Sequence, residues 1–282
     1  APLPGPDPAF SDGRLENGAL TIRFDPHGVA RVMDADTGND LLAAPVEFIC
    51  LHDESDTWSH GIDRYRWPVR CKGAFGIPVV VDHGPLRTTV RLDGSIGNSP
   101  CRLFVSLDRD ERAVHLALST NYQERLSVLK ARIAPAAHGK RCHHHVAGGW
   151  IDRPAEGREY PVHHALRLET GMGPIGVVMP DTFAADASPE AIRLTLIRNS
   201  LNAYHSCGCI HEGGKDQFNA NVRVAERFGS DEGPQVVRFS IGFGDMGQEG
   251  SLVRLMDRFQ RAPHLWDDYR GINRLSGFDV KT

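Results

Sequence analysis

The feature that most constrains the fold is a succession of short apolar runs with a two-residue period, separated by turn residues. Residues 19–24 alternate apolar and polar side chains, residues 25–28 (Asp-Pro-His-Gly) favour a turn, residues 29–33 continue the alternation, and residues 34–38 favour a second turn. Similar runs recur at 79–81, 86–92, 101–107, 113–118, 126–133, 175–179, 192–197 and 236–243. Short connections of this kind predict antiparallel pairing of neighbouring strands.

Helical signals are few. The clearest covers Gln248 to Gln260, where apolar residues recur at helical spacing and Pro263 follows as a stop. Strands and helices do not alternate, and no fixed-period repeat is present. The pattern predicts an all-β protein, a large antiparallel β-sandwich with few short helices, and leaves open whether it is a jelly roll or a super-sandwich.

The composition fits one large globular domain. The chain has 282 residues, of which 40% are hydrophobic and 24% charged, and its 29 glycines and 18 prolines suit many turns. Residues 1–10 begin with a proline-rich stretch typical of an extended linker to something upstream. We therefore expect a linker over 1–10 and a single β-sandwich domain over 11–282.

Charge and cysteine usage exclude several classes of function. A net charge of −4 and a pI of about 6.4 argue against a nucleic-acid surface, which needs a basic excess. The sequence has neither an apolar run long enough to span a membrane nor the pattern of a signal peptide. Six dispersed cysteines are too few for a disulfide scaffold and lack the paired spacing of a zinc site. We expect a cytoplasmic protein with reduced thiols.

One polar segment stands out as a candidate binding site. Residues 51–65 read Leu-His-Asp-Glu-Ser-Asp-Thr-Trp-Ser-His-Gly-Ile-Asp-Arg-Tyr and follow an apolar run, so they predict a loop leaving a sheet. Carboxylates beside an indole suit a sugar, because oxygens bind hydroxyls and the ring covers a C–H face. The candidates are Asp53, Asp56, Trp58, His60, Arg64 and Tyr65. The alternative is an acidic surface loop with Trp58 in the core.

Several motifs occur in the order found in one family. The six motifs are residues 15–28 together with 33–38; residues 53–61; residues 83–87; residues 121–125 together with 129–130; residues 149–154 together with 157–161; and residues 194–205. In this order they resemble the C-terminal β-sandwich of glycoside hydrolase family 38 α-mannosidases of bacterial type. The sequence departs from the family at 214–218, where Asp216 stands near the position of an expected histidine.

The resemblance implies a fold similar to the galactose mutarotase super-sandwich and a role in zinc-dependent, retaining hydrolysis of α-mannosides. In the family, the nucleophilic Asp and most of the zinc site lie in an upstream catalytic domain that opens with a His-x-Asp motif. This sequence contains no such motif. The resemblance therefore implies no catalytic residue, no metal site and no cofactor in this chain, with zinc in the absent domain. The implied partners are that domain and an α-mannoside or other carbohydrate. A homo-oligomer is a further alternative that the sequence leaves open.

In this interpretation, Asp56, Trp58 and His60 complete the wall of a cleft, while Arg64 and Tyr65 order the loop. Asp53 and Asp56 are close in sequence, but the resemblance places both catalytic carboxylates elsewhere.

Other constellations support weaker alternatives. In the run Cys142-His-His-His145, only His143 and His145 share a strand face and no carboxylate lies at ligand spacing, so we predict no functional metal there. A mutarotase-like sugar enzyme needs a histidine acid and a carboxylate base, and two pairs could serve: His205 with Glu212, or His144 with Glu159. A non-catalytic carbohydrate-binding module would instead present an exposed aromatic platform at Trp58, Trp67 or Trp150.

Overall fold

The computed structural model describes residues 6–53, 55, 57, 62–65, 68–200 and 230–260. Strands dominate this part of the chain, and every strand pairing in it is antiparallel. The strands are β1 (Ala9–Ser11), β2 (Arg14–Glu16), β3 (Leu20–Asp25), β4 (Gly28–Asp34), β5 (Glu47–His52), β6 (Val69–Phe75), β7 (Val79–His83), β8 (Arg87–Ile96), β9 (Ser99–Asp108), β10 (Ala113–Tyr122), β11 (Ser127–Ile133), β12 (Gly139–Val146), β13 (Gly149–Arg153), β14 (Glu159–Pro161), β15 (Ala165–Thr170), β16 (Gly173–Val178), β17 (Ala184–Ser188), β18 (Ala191–Asn199) and β19 (Gly233–Phe243). A 3-10 helix (Gly244–Gly247) and α1 (Glu249–Gln260) follow.

The larger sheet folds into two layers that face each other. The first layer has the strand order β13-β12-β15-β16-β19-β10-β9-β8, with β7 also paired to β8, and the second has the order β5-β11-β18-β17-β14. Strand β6 pairs with both β8 and β5, so it links the layers. Phe48 of β5 lies 6.3 Å from Phe239 of β19, ring centroid to ring centroid, across the interior. The fold class predicted from the sequence, an antiparallel β-sandwich with few helices, is confirmed.

A small sheet of β1 to β4 closes one side of the core. Leu15, Leu20 and Ile22 have no exposed surface and belong to the same apolar cluster as the interior of the two layers. The two hairpin strands predicted on either side of the 25–28 turn correspond to β3 and β4. Strand β1 begins at Ala9, within the segment predicted as a linker, because its backbone pairs with β2.

Helix α1 covers the outer face of the first layer. Leu252, Leu255 and Met256 pack on buried residues of β10, β15 and β16, which agrees with the apolar spacing seen in the sequence. No helix in the described part of the chain is long and apolar enough to cross a membrane.

The outer face of the second layer carries its own small apolar cluster. Ile49 and Leu51 of β5, Val128 of β11 and Tyr65 are buried there, and Ile62 packs against them. Because alternate residues of a strand point to opposite faces, β5 sends Phe48 and Cys50 to the interior and Ile49 and Leu51 to this outer face. Residues 62–65 therefore lie over the second layer.

Candidate functional site

The outer face of the second layer also holds a network of charged side chains, which we call the platform. It comprises Asp53, Ser55, Lys130, Glu159, Asp186, Arg193, Thr195 and Arg198. These residues come from the chain following β5 and from four strands, β11, β14, β17 and β18. Strand pairing therefore gathers groups that are far apart in the sequence.

Lys130 occupies the centre of the platform and has no exposed surface. Its Nζ lies 2.8 Å from Asp186 Oδ2 and 2.5 Å from Glu159 Oε2. The same Nζ lies 5.1 Å from the centroid of the Tyr65 ring. A buried ammonium is tolerated only when it is paired, and here two carboxylates and an aromatic face replace the lost water.

The two carboxylates around Lys130 have further partners. Glu159 and Asp186 are directly opposite each other in the pairing of β14 with β17. Arg193 Nε donates to Asp186 Oδ1 at 2.7 Å, and the Thr195 hydroxyl donates to Glu159. With its three cations matched by three carboxylates, the platform is neutral overall, which lowers the penalty of burying it.

Asp53 is fixed by the end of β18. Arg198 Nε donates to Asp53 Oδ2 at 2.7 Å and a second Arg198 nitrogen donates to Ser55, while the Ser55 backbone N–H donates to Asp53 Oδ1 at 2.9 Å. A bulge in β18 at Leu196 shifts its register against β11. The bulge turns Arg198 to the same face as Arg193, which strict alternation would not allow.

The structure revises the expected role of Asp53. Its side chain has no exposed surface and is engaged by Arg198 and Ser55, so it braces the chain after β5. Tyr65 is also buried, and burial raises the pKa of its hydroxyl. Arg64 is partly buried and pairs with Glu156 at 3.2 Å. These contacts hold residues 62–65 against the second layer.

Other candidates lie outside the described residues. They are Asp56, Trp58, His60, Trp67, His205 and Glu212, together with the 214–218 segment. Their assignment remains that made from the sequence.

The described mutarotase-type pair does not converge. His144 has no exposed surface, its ring contacts Tyr160 at 5.6 Å between centroids, and burial lowers its pKa to about 4. Glu159 precedes Tyr160 on β14 and therefore points to the opposite face, where it binds Lys130. Trp150 is partly buried and packs against the apolar cluster under α1.

The neighbouring histidine run differs from expectation in one respect. His143 Nδ1 lies 2.9 Å from Asp152 and 3.3 Å from Glu249, and its Nε2 lies 3.7 Å from Glu169. The expectation that no carboxylate accompanies the run is wrong, because β13, β15 and α1 bring these groups to β12.

In the described part of the chain, one compact group of potential metal ligands occurs: Asp108, Glu111 and His115, with their ligand atoms within 4.8 Å of one another. Arg87 and Arg258 each donate two hydrogen bonds to one of the carboxylates. Burial disfavours a charge on His115, but the carboxylates outweigh it and raise its pKa. Arginines already neutralise both carboxylates, and the carboxylates favour the protonated form of His115. We therefore infer that this group holds α1 against the sheet.

The chemistry available to the platform follows from its pairing. Each of its carboxylates accepts a hydrogen bond from a cation, as in a structural ion-pair network. The platform includes neither histidine nor cysteine, the ligands that dominate protein zinc sites, and its carboxylates are already paired with cations. Its arrangement suits a rigid support for the polar segment that leaves β5.

Comparison with known proteins identifies relatives of this fold. The profile of the Glycosyl hydrolases family 38 C-terminal domain matches residues 15–204, well over half of the chain. None of the curated proteins matches the chain in sequence.

Two solved structures share the fold at low identity. A glycosyl hydrolase family 38 protein from Enterococcus faecalis aligns at 9% identity and a TM-score of 0.63, over 82% of this chain and 30% of its own. An α-mannosidase from Enterococcus faecalis V583 aligns at 8% identity and a TM-score of 0.61, over 82% of this chain and 29% of its own. A galactose mutarotase related enzyme from Lactobacillus acidophilus aligns over 83% of this chain and 97% of its own, at 10% identity and a TM-score of 0.39.

The chain thus spans less than a third of the length of the two family 38 structures. Sequence profile and fold point the same way: this chain belongs to the family of glycosyl hydrolase family 38 C-terminal domains.

Proposed function

We propose that this chain is the C-terminal β-sandwich of a zinc-dependent, retaining α-mannosidase and acts on α-mannosides together with an upstream catalytic domain. The observation that carries the proposal is the family match over residues 15–204. The similar family 38 structures are about three times as long as the segment that aligns with this chain, which leaves room in such proteins for a further domain. We place the protein in the cytoplasm, with its dispersed cysteines reduced.

The pairing of the platform carboxylates supports placing the catalytic groups in the upstream domain. A retaining glycosidase needs two carboxyl groups about 5 Å apart, one as nucleophile and one as acid and base. Asp53, Glu159 and Asp186 are each committed to a buried or partly buried cation. The nucleophile, the acid and base, and the zinc ion therefore belong to the upstream domain in this proposal.

The contribution of this chain is to present the segment after β5 to the substrate. Arg198 and Lys130 anchor its two described ends, the first through Asp53 and the second through the ring of Tyr65. Between these anchors lie Asp56, Trp58 and His60, which we propose as the wall of the cleft. A carboxylate there would accept hydrogen bonds from sugar hydroxyls, and the indole would cover an apolar C–H face.

The isolated chain provides the first test. Purified chain with added zinc should release no phenol from an aryl α-mannoside above a buffer blank. In parallel, NMR should show no acceleration of anomer exchange in mannose. Turnover in a preparation free of host mannosidase would place catalytic groups within this chain and contradict the division of labour. Faster anomer exchange that is lost in His205→Ala would favour the mutarotase-like alternative.

A further inference from the structure

Two cysteines face each other at the junction between the layers. Cys50 of β5 and Cys71 of β6 are directly opposite partners in the antiparallel pairing, and both are free thiols. Opposed residues of antiparallel strands have Cα atoms about 4.5 to 5.5 Å apart, within the range that a disulfide bridges. The register of the two strands shifts directly after Cys50, which gives the backbone room to adjust.

The two thiols already interact. The contact between them lowers the pKa of Cys50 and raises the pKa of Cys71. The Tyr122 hydroxyl lies 3.7 Å from the Cys50 sulfur. Such a pair titrates as a unit that shares one proton and one negative charge between two sulfurs.

The other described cysteines differ from this pair. Burial raises the pKa of both Cys101 and Cys142 to about 12. Both are buried, whereas Cys71 is partly exposed. Thiolate character and solvent access decide which cysteines are oxidised. The Cys50 and Cys71 pair has both, because the pKa of Cys50 is lowered and Cys71 is partly exposed.

We propose that Cys50 and Cys71 form an oxidative modification site at which a hydroperoxide converts the dithiol into a cross-strand disulfide. Transfer of the shared proton to Cys50 places the thiolate on the partly exposed Cys71, whose sulfur attacks one oxygen of hydrogen peroxide. The O–O bond breaks, and the leaving hydroxide takes up a proton as water. Cys50 then loses its proton, attacks the Cys71 sulfenic sulfur and displaces a second hydroxide, which leaves as water. Two thiols lose two hydrogen atoms and one peroxide becomes two waters.

The bond has a structural consequence for the platform. Strand β5 leads directly into Asp53, and the chain returns through β6. A link between Cys50 and Cys71 closes this stretch into a covalent loop that carries both Asp53 and Tyr65. Closure restricts the unfolded chain, so the oxidised protein should be the more stable form.

Peptide mapping of the full chain tests the proposal. After treatment with hydrogen peroxide, alkylation of the unfolded protein and digestion without reductant, we expect the peptides of Cys50 and Cys71 to be joined and lighter by two hydrogen atoms. Dithiothreitol should separate them, and Cys101 and Cys142 should be alkylated throughout. The melting temperature should rise by on the order of 5 °C on oxidation.

Two variants serve as matched controls. Cys71→Ser, at a partly exposed site, should abolish both the joined peptide and the rise in melting temperature, and Cys101→Ser should keep both. The proposal is overturned if Cys71 remains alkylatable after peroxide, if Cys50 is joined to another cysteine, or if oxidation lowers the melting temperature.

Discussion

The pairing of Arg198 with Asp53 should dominate the stability of the chain that follows β5. Arg198→Met keeps most of the aliphatic stem of the side chain but removes the cation from a carboxylate with no exposed surface. Breaking a buried ion pair by removing one partner costs about 3 to 5 kcal/mol, because the remaining charge stays buried. The Ser55 hydroxyl and N–H still donate to Asp53, so we expect a loss near 3 kcal/mol.

Urea unfolding followed by circular dichroism measures this loss. The matched control is Arg238→Met, which breaks an exposed two-point pair with Asp181 and should cost less than about 1 kcal/mol. In the double variant Asp53→Asn with Arg198→Met, much of the loss should be recovered, because no buried charge remains. If Arg198→Met costs no more than Arg238→Met, the platform does not brace this segment and the reasoning fails.

Two further predictions concern stability. The folded-state pKa of His144, about 4, lies below the ordinary value of about 6.5, so the unfolded chain binds this proton more readily and stability falls as pH drops from 6.5 towards 4. Between pH 7 and pH 5, the wild type should lose about 2 kcal/mol of its free energy of unfolding through this group, and His144→Leu should lack this part of the pH dependence. Urea unfolding at several pH values measures both proteins, and an equal pH dependence would refute the prediction. Gly94→Ala should cost about 3 kcal/mol of stability, because its Cβ would collide with the backbone carbonyl of Ala74. The control Gly148→Ala lies in open space and should change stability by about 0.5 kcal/mol or less. Equal melting temperatures of the two variants would contradict this prediction.

Much of the fold could be read from the sequence because strand periodicity and turn residues are local signals. The long strands β8, β9, β10 and β19 each coincide with a predicted apolar run, and the helix predicted from Gln248 corresponds to α1. Several strands, among them β6, β15 and β17, fall outside the predicted runs. The short strand β14 is another, since three residues carry too little periodicity to be recognised. Its position depends on pairing with β17, which no local pattern encodes.

The platform was missed for a related reason. Glu159, Asp186 and Arg193 reach Lys130 from different strands, and only the register of those strands brings them together. One signal was present: Lys130 interrupts the apolar run of residues 128–133, and a lysine inside a buried strand requires a counter-charge. The sequence does not say which carboxylate supplies it.

In the proposed function, residues after β5 line the cleft of an α-mannosidase. The most direct test is kcat/KM for an aryl α-mannoside, measured on the complete gene product with zinc and on its Asp56→Ala and His60→Ala variants. We predict hydrolysis by the wild type, a fall of about tenfold or more in each variant, corresponding to about 1.4 kcal/mol of lost transition-state stabilisation, and unchanged melting temperatures. Absence of hydrolysis by the complete protein, or kinetics unchanged in both variants, would contradict the account.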